Sequence, residues 1–356
     1  MKILQVIPNL LSGGAESFTI ELSLELTNKG HDCDVATLYD NLENTSRILR
    51  LQEKSNIISL HKKNGLDLSI YLQLYKLIKN GHYDVVHAHV NAIPYLLLSC
   101  ILLPKVHYIA TIHSDAYLEA GTKFMKWSRI ILFKTRMCIP VTISQESLVS
   151  FKKLYRMSAP LINNGISEYI GHPTNNLRDN TEQLLFIHPA SCQEVKNQKL
   201  LFQAFSRLAN DNPNIKLIWL GNNTSYSALY NELQQYMIPQ IQYYGVVSNV
   251  RDYLYQADAL CLSSKMEGMP MTIIEAFSVG CPSLCTPVGG IKNMIVKGKN
   301  GMLSENLTVD SYYEMLKTFI NLTPDQRKQM RIEASSSFMK YSISSCADKY
   351  LLLYNQ

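Results

Sequence analysis

The sequence predicts an α/β protein made of two Rossmann-like, doubly wound domains that face a central cleft. The chain has 356 residues, more than one hydrophobic core usually supports. Short apolar runs alternate with helical patterns in both halves, which is typical of parallel sheets covered by helices. A stretch rich in Asn, Gly, Pro, Ser and Thr at residues 163–181 separates the two series. Together these observations favour two tandem sheets over one large domain.

The N-terminal half opens with an apolar run at residues 2–8, followed from about residue 15 by a helical pattern. Because this run leads directly into a glycine-rich turn, it predicts a buried strand and not a signal peptide. The apolar stretch 93–109 is interrupted by Pro94 and Pro104, so it predicts a buried helix and a strand, not a membrane span. Further strands of this half are predicted at 34–38, 83–87, 108–113 and 138–143.

These patterns set the predicted boundaries. The first domain covers residues 1–165, a linker covers 166–181, and the second domain covers 182–336. Residues 337–356 form a C-terminal helix that could return to the first domain, with the helical pattern strongest over 337–354. Ligands of doubly wound sheets bind beyond the carboxyl ends of the strands. The strands of the second domain are predicted at 184–189, 216–220, 242–244, 259–263 and 283–286.

The composition is that of an ordinary folded protein, with 46% hydrophobic and 18% charged residues. The eight cysteines are scattered, and none forms the paired Cys-x2-Cys spacing of a structural zinc site. Free thiols of this kind are typical of a reducing compartment. The sequence therefore predicts a cytoplasmic protein.

The net charge of +5 is unevenly distributed. Residues 121–156 carry eight basic side chains against one acidic side chain, with Phe124 and Trp127 between them. This segment predicts a helix that contacts an anionic membrane surface, although a solvated basic face on an ordinary amphipathic helix explains it equally well. The basic segment matches no nucleic-acid-binding motif, so we do not expect a nucleic acid partner.

The most informative segment is residues 263–277, where an apolar strand leads through Glu267 and Gly268 into a helix with Pro270 at its predicted first position. Such a turn aims backbone N–H groups and the positive end of the helix at one point, which favours an anion. A nucleotide diphosphate fits this site. Glu267 and Glu275 would then accept hydrogen bonds from sugar hydroxyls, whereas an isolated acid near a helix start only complements the helix dipole.

This segment resembles the Glu-x7-Glu signature of glycosyltransferase family 4, which contains retaining enzymes of the two-domain GT-B fold. The resemblance extends over nearly the whole chain, and the order of its short motifs makes it specific. The other similar segments are 12–16, 84–89, 111–113, 162–166, 220–221, 288–290 and 299–301.

The resemblance implies that the first domain binds the acceptor and the second binds a nucleotide-sugar. It implies that Glu275 binds the donor ribose, that Glu267 contacts hydroxyls of the donor sugar, and that Lys196 neutralises the leaving diphosphate. His113 would lie near the reacting carbon, so His113, Glu267 and Lys196 are the predicted catalytic residues. Without the family context, Lys196 reads as a solvated lysine and His113 as a structural histidine. The remaining implied donor-binding residues are Gly268, Met269, Pro270 and Met271.

Gly13 and Gly14 would let the backbone approach a phosphate or the acceptor, although a Gly-Gly pair after a strand is also simply a tight turn. Ser191 stands where the family usually has an arginine, so one phosphate-neutralising charge is missing or is supplied from elsewhere. Asp32-Cys33-Asp34 spells an Asp-x-Asp metal motif, but its position at a helix-to-strand turn explains it. We expect no metal ion and no cofactor other than the nucleotide-sugar substrate.

The sequence thus predicts a retaining hexosyltransferase that uses a nucleotide-sugar, with UDP as the default nucleotide. Its acceptor is a glycan or a lipid-linked glycan of surface polysaccharide biosynthesis, and its predicted place is the cytoplasm or the inner face of the cell membrane. Two alternatives stay open. One is a nucleotide-sugar 2-epimerase on the same fold, and the other is a non-catalytic nucleotide-sugar-binding partner subunit.

Overall fold

The computed structural model describes residues 1–11, 13–40, 46–65, 67–171, 173, 176–222 and 227–356. The chain divides into two compact units. The first unit is Met1–Ser167 together with Tyr341–Gln356, and the second is Glu168–Lys340. Each unit contains one six-stranded sheet. Residues 172, 174 and 175 of the predicted linker lie outside the described residues.

All strand pairs of the first sheet are parallel, and their order is β3-β2-β1-β4-β5-β6. This is a doubly wound order, in which the direction of succession reverses between β1 and β4. The central strands are buried on both faces, which explains why they are mostly apolar, with Gln5 in β1 and His87 and His89 in β4 as buried polar exceptions. The strands are β1 Lys2–Ile7, β2 Asp32–Thr37, β3 Ile57–Ser59, β4 Val85–His89, β5 His107–Ile112 and β6 Ile139–Thr142.

Helices alternate with these strands, and the segment after β4 begins with a 3-10 helix, Val90–Leu96, before it becomes α-helical. The apolar stretch 93–109 is therefore a helical segment followed by β5, as predicted, but the helix is buried only in part, because Ile101 and Leu102 are 54% and 49% exposed. The α-helices are α1 Gly14–Asn28, α2 Ser46–Gln52, α3 Ser69–Gly81, α4 Leu97–Leu102, α5 Ala116–Glu119, α6 Lys123–Lys134 and α7 Gln145–Tyr155.

The second sheet is also entirely parallel, with the order β12-β11-β10-β7-β8-β9. It repeats the doubly wound arrangement, now with the reversal between β7 and β10. Its strands are β7 Leu184–Pro189, β8 Ile215–Leu220, β9 Ile241–Gly245, β10 Ala259–Leu262, β11 Ser283–Cys285 and β12 Gly301–Leu303. Its helices are α8 Gln198–Asp211, α9 Ser227–Gln234, α10 Val250–Gln256, α11 Met271–Ser278, α12 Ile291–Met294, α13 Val309–Ile320 and α14 Pro324–Phe338.

The chain then returns to the first unit through α15, Ile343–Tyr354. The helical pattern at 337–354 predicts one helix, and this is wrong, because α14 ends at Phe338 and a 3-10 turn covers Met339–Tyr341. Ser342 adopts an extended backbone and caps α15 by accepting a hydrogen bond from the N–H of Ser345. The polar capping residue therefore divides a continuous apolar pattern into two helices.

Two sheets of parallel strands with helices between them confirm the predicted α/β class with two Rossmann-like domains. Every strand that the sequence predicts overlaps a strand of the structure. β3 and β12 were not predicted, and each is an edge strand of only three residues.

Candidate active site

In the second unit, the loops after β7 and β10 bring Lys196 and Glu267 together. Both loops leave the carboxyl edge of the parallel sheet, because parallel strands end on the same side. Lys196 Nζ lies 2.8 Å from Glu267 Oε1, and the hydroxyl of Ser264 donates to the same oxygen at 2.6 Å. Two residues that the sequence predicts for one site are thus in direct contact.

The backbone around Lys196 is also fixed by the Glu267 loop, which we define as residues 263–270. Ser263 Oγ donates to the carbonyl of Lys196 at 2.9 Å, and the N–H of Lys265 donates to the carbonyl of Val195 at 2.7 Å. The Lys196 side chain remains 27% exposed, whereas that of Glu267 is 10% exposed. The ammonium is therefore accessible to a solute while its counter-ion is largely buried.

The Glu267 loop runs into α11, which begins at Met271. Pro270 occupies the capping position and has an extended backbone, so the prediction of Pro270 at the first helical position is wrong by one residue. Met269 and Gly268 precede it in a bend. Because α11 follows β10, its N-terminus lies at the carboxyl edge of the sheet, where the positive end of a helix attracts anions.

The loop after β11 packs against the backbone of Glu267 and Gly268. Gly289 has φ of +45°, and a Cβ atom placed there would lie 1.8 Å from the carbonyl oxygen of Glu267. The N–H of Gly290 donates to the carbonyl of Gly268 at 3.0 Å. Only glycine permits both this left-handed backbone and this close approach. The motif at 288–290 thus fixes the backbone position of Glu267.

Glu275 lies in the second turn of α11 and is only 5% exposed. A ligand that reaches its carboxylate must therefore lie directly against the helix. Ser191 follows β7, and its carbonyl accepts a hydrogen bond from Gln198 Nε2 at 2.9 Å. The serine adds no positive charge where the family usually has an arginine.

Lys265, in the Glu267 loop, is a nearby positive charge, but it is already paired with Glu194 at 3.5 Å.

In the first unit, the carboxyl edge of the sheet carries a cluster of histidines. His89 ends β4 and His113 follows β5. His89 Nδ1 lies 2.9 Å from His113 Nε2, and His89 Nε2 lies 2.8 Å from Gln5 Oε1. Burial lowers the pKa of His113 to about 3 and lowers the pKa of His89 well below its usual range. Both rings are therefore neutral at physiological pH.

A second set of hydrogen bonds lies behind this cluster. His87 Nδ1 is 2.7 Å from the hydroxyl of Tyr354, and His87 Nε2 is 2.7 Å from Thr111 Oγ1. Thr111 Oγ1 is in turn 2.8 Å from the hydroxyl of Tyr350. Both tyrosines belong to α15, so the C-terminal helix supplies polar partners to the interior of the first sheet.

The sequence did not predict a buried ion pair, Glu119 with Arg129, that supports the same edge. Glu119 Oε2 accepts hydrogen bonds from the backbone N–H groups of His113 at 2.8 Å and Ser114 at 3.2 Å. Arg129 Nη1 lies 3.6 Å from Glu119 Oε1. Burial raises the pKa of Glu119, and Arg129 opposes that shift. No helical spacing in the sequence indicates this pair, because Glu119 lies in α5 and Arg129 in α6.

The prediction of a basic surface at 121–156 is wrong for Arg129. It is fully buried, as is Phe133. Phe124 and Trp127 of the same helix are 41% and 56% exposed. The surface of α6 thus combines exposed aromatic side chains with lysines, but it carries one basic residue fewer than predicted.

Gly13 caps α1 with an extended backbone, and a Cβ atom there would lie 2.1 Å from Glu16 Oε2. Gly14 is the first residue of the helix, and Ser12 lies outside the described residues. The two glycines thus begin a helix at the carboxyl end of β1. Their predicted role toward a phosphate or an acceptor stays a prediction.

Asp32-Cys33-Asp34 opens β2, as predicted. Asp34 is buried and accepts hydrogen bonds from Tyr83 at 2.7 Å and from Asn56 at 2.8 Å, so its carboxylate has a structural role. Within the described part of the chain, no three His, Cys, Asp or Glu side chains are arranged to hold a metal ion.

No described helix has the length and apolar character needed to cross a membrane.

Two family models match the chain. Residues 12–168 match "Glycosyltransferase Family 4", and residues 174–336 match "Glycosyl transferases group 1". Together they cover nearly all of the chain.

Individual proteins are similar over most of their length. The chain is 26% identical to an Escherichia coli UDP-Gal:alpha-D-GlcNAc-diphosphoundecaprenol alpha-1,3-galactosyltransferase, with 90% of this chain and 87% of the relative covered. It is 24% identical to the capsular polysaccharide biosynthesis glycosyltransferase CapH of Staphylococcus aureus, over 91% and 88% of the two chains.

The crystal structure of Anabaena HepE in complex with UDP superimposes with a TM-score of 0.81 at 16% identity and covers 100% of both chains. The predicted fold class is thereby confirmed as the GT-B fold. The two family models, the named relatives and the shared fold agree on one class of enzyme. The chain is therefore a glycosyltransferase of the GT-B fold, with a first half that matches the family 4 model and a second half that matches the group 1 model.

Proposed function

We propose that this glycosyltransferase transfers a hexose from a UDP-sugar to a glycan or lipid-linked acceptor in the assembly of a surface polysaccharide. The observation that carries the proposal is the contact between Lys196 and Glu267 at the N-terminus of α11. An accessible cation beside a helix N-terminus suits a diphosphate, and an adjacent carboxylate suits sugar hydroxyls. The relatives named for a UDP-galactose donor and for capsular polysaccharide support this choice of substrates.

In the proposed reaction, the bond between the sugar C1 and the diphosphate oxygen breaks, and a bond from C1 to the acceptor oxygen forms. The acceptor proton passes to the departing diphosphate, so the products are the glycosylated acceptor and UDP. Charge builds on the diphosphate as the bond breaks, and Lys196 with the first turn of α11 stabilises that charge. We infer retention of the anomeric configuration from the family.

Within this proposal, Glu275 binds the donor ribose, Glu267 orients hydroxyls of the donor sugar, and His113 hydrogen-bonds a substrate near the reacting carbon. Gly13 and Gly14 face the phosphate or the acceptor. A glutamate that is already hydrogen-bonded by Ser264 and Lys196 keeps one orientation before the sugar arrives, which lowers the entropy lost on binding.

The first test is thermal unfolding of the protein with UDP, GDP or ADP. A nucleotide at about one hundred times its dissociation constant adds roughly 2.7 kcal/mol, which raises the melting temperature by a few degrees. We expect UDP to stabilise the wild type and to lose this effect in Glu275→Ala. Glu314→Ala, which removes an exposed carboxylate from α13, is the matched control. Stabilisation by none of the three nucleotides would contradict the proposed donor site.

The second test is transfer itself, with UDP-sugars and the GlcNAc-diphosphoundecaprenol acceptor named for the Escherichia coli relative. Production of UDP and of a longer lipid-linked glycan supports the proposal. Epimerised sugar nucleotide without acceptor would identify a 2-epimerase. Nucleotide binding without turnover on any acceptor would identify the non-catalytic partner subunit, an alternative that the missing charge at Ser191 favours.

We further propose that α6 contacts an anionic bilayer at the cytoplasmic side of the cell membrane. Phe124 and Trp127 are exposed one helical turn apart, and Lys123 and Lys126 lie beside them in the sequence. Aromatic and basic side chains on one surface helix favour the interface of anionic lipids.

The protein has two tryptophans, and Trp219 is fully buried, so a change in fluorescence on lipid binding reports Trp127. We expect a blue shift with phosphatidylglycerol vesicles, none with phosphatidylcholine vesicles, and loss of sedimentation with vesicles in Trp127→Ala. Leu352→Ala, which removes an even more exposed apolar side chain from α15, is the control. Equal binding of both vesicle types would contradict the electrostatic part of the proposal.

A further inference from the structure

Gln5, His89 and His113 form a chain of hydrogen bonds across the carboxyl edge of the first sheet, and we name these three residues the histidine relay. We propose that Gln5 and His89 are positioning residues that hold His113 in a single tautomer, with Nε2 protonated and Nδ1 available only as an acceptor. The direction of hydrogen-bond donation along the relay follows from the Gln5 amide. This direction decides which kind of substrate group can hydrogen-bond to His113.

The direction is set by the chemistry of the side chains. A neutral imidazole has one donor nitrogen and one acceptor nitrogen. In the structure the Gln5 amide turns Oε1 toward His89 Nε2 at 2.8 Å and leaves its own Nε2 buried without a partner among the described residues. An amide oxygen only accepts, so in this orientation His89 Nε2 carries the proton. His89 Nδ1 is then an acceptor, and His113 Nε2, at 2.9 Å, must donate to it. The remaining ring nitrogen of His113 is therefore an unprotonated Nδ1. The opposite orientation of the Gln5 amide would reverse every donor in the relay.

Neutrality of both rings is a condition of this argument, and the surroundings supply it. His87 is a third buried imidazole, and its ring centroid lies 4.2 Å from that of His89 in a tilted arrangement. It is likewise neutral, because burial lowers its pKa. Phe18 packs 5.6 Å from the ring of His113. An imidazolium in this apolar and histidine-rich setting would be strongly disfavoured.

The buried pair of Glu119 and Arg129 also holds the backbone next to His89 and His113. Glu119 accepts a hydrogen bond from the N–H of His113, while its ion-pair partner Arg129 donates to the carbonyl of Val90 at 2.7 Å. Val90 directly follows His89 and has φ of +44°, which is costly for a β-branched residue. One buried ion pair thus holds the segments that carry both histidines, so the distance between the two rings does not depend on the rings alone.

His113 Nδ1 is buried and has no hydrogen-bond partner among the residues that the structure describes. A buried acceptor of this kind is satisfied only by a donor. The ring of His113 is half-buried, and a substrate reaches Nδ1 only when the side chains that cover this atom move. A hydroxyl of a sugar can then donate to it, whereas a phosphate oxygen or a carbonyl oxygen would be repelled. If the proposed function is correct, the relay therefore reserves His113 for a hydroxyl-bearing part of the donor sugar or the acceptor and excludes the diphosphate from this position.

The tautomer can be measured directly by long-range ¹H–¹⁵N spectra of protein labelled at histidine, with His113→Gln used to assign the signals. We expect wild-type His113 to give the pattern of an imidazole protonated at Nε2 at pH 7. Gln5→Met removes the acceptor that directs the relay but keeps both rings, so it should mix the tautomers of His113. Thr111→Val, a similar loss of a buried polar group beside His87, should leave them unchanged.

Kinetics separate positioning from mere packing. We expect Gln5→Met to lower kcat about tenfold with little change in KM, because the ring still occupies its place but presents an acceptor only part of the time. A second pair of variants tests His89 itself. In His89→Asn the amide oxygen lies near the position of Nδ1 and can still accept from His113, so this variant should retain most of kcat. In His89→Gln the amide lies near the position of Nε2 and contacts only Gln5, so this variant should lose most of kcat.

The outcomes are distinct. A wild-type His113 protonated at Nδ1 or at both nitrogens overturns the relay, and this measurement needs no variant to fold. Mixed tautomers in Gln5→Met with an unchanged kcat overturn the positioning role while leaving the proposed function intact. A single Nε2-protonated tautomer in a protein without transferase activity supports the relay and removes the proposed function instead.

Discussion

The two units place opposite kinds of chemistry at the same edge of the same kind of sheet. In the first unit, buried neutral histidines are linked by hydrogen bonds and closed off by tyrosines of α15. In the second unit, Lys196 and Glu267 form an ion pair in which the lysine side chain is still 27% exposed. The fold alone therefore does not decide the character of the edge. The residues that end or follow the strands decide it.

Under the proposed function, this difference in charge and burial would suit each unit to a different part of the substrates. A charged, accessible group attracts a diphosphate and stabilises the charge that develops on it, whereas a buried and neutral cluster offers fixed hydrogen-bonding atoms to hydroxyl groups. Removal of charge should therefore harm the second unit most, and a change of pH should harm the first unit most.

Acidification should have the largest effect on stability, and it should act first on the first unit. Burial lowers the pKa of His87, His89 and His113 in the first unit and lowers that of His188 in the second to about 4. The unfolded chain binds protons below about pH 6.5 that the folded chain does not, so stability is complete above that pH and is lost as pH falls. Each fully buried histidine contributes up to about 1.4 kcal/mol per pH unit in this range.

Hydrogen exchange corrected for intrinsic rates, followed from pH 7 to pH 5, checks this order. We expect protection of β1, β4 and β5 to decrease before that of β7 and β8. Earlier loss in the second unit would show that the difference in buried histidines does not control acid stability.

Removal of the accessible charge should have the next largest effect. Lys196→Gln keeps a hydrogen-bond donor for Glu267 but loses the positive charge, so we expect kcat to fall about 100- to 1,000-fold, the range found when a donor to a developing anion is removed. Initial rates of UDP release measure this change. Lys199→Gln removes an exposed lysine three positions away that pairs with Glu232, and should have little effect. Equal losses in both variants would mean that Lys196 has no special role.

A change in the support of Glu267 should have the smallest effect on the global fold. In Gly289→Ala the new methyl group meets the carbonyl oxygen of Glu267, whereas at Gly298, which also has a positive φ, no atom lies within 4 Å. Both alanines bear the strain of the left-handed backbone, so the difference between them isolates the contact. We expect Gly289→Ala to lower the free energy of unfolding by about 2 kcal/mol more than Gly298→Ala. Urea denaturation measures this difference, and stabilisation by UDP should be lost only in Gly289→Ala.

Much of the fold could be predicted because the central strands are buried on both faces and so are mostly apolar, even though β1 and β4 also carry Gln5, His87 and His89. β3 and β12 escaped prediction because three residues at a sheet edge carry no periodic signal. The C-terminal segment was predicted as one helix because apolar spacing continues through the break that Ser342 introduces.

The site was only partly predictable. Lys196 and Glu267 were assigned to one site from motifs, but their 2.8 Å contact depends on the order of β7 and β10 in the sheet. Gln5 reads in the sequence as a polar residue within a strand, and its role follows only from the neighbouring position of β4. Glu119 and Arg129 lie on different helices, so no helical spacing pairs them. Contacts set by sheet order are those that a single sequence leaves open.

The return of α15 to the first unit has a consequence for biosynthesis. When a ribosome has made residues 1–167, the sheet that contains His87 and Thr111 still lacks the hydroxyl groups of Tyr354 and Tyr350. Residues 168–340 must be translated first, which takes about ten to thirty seconds at ordinary elongation rates. Throughout that interval the nascent first unit has an uncovered interior, so its folding can be completed only after the second unit has emerged. Packing of α15 is thus the closing step for a unit whose strands are translated before the second unit.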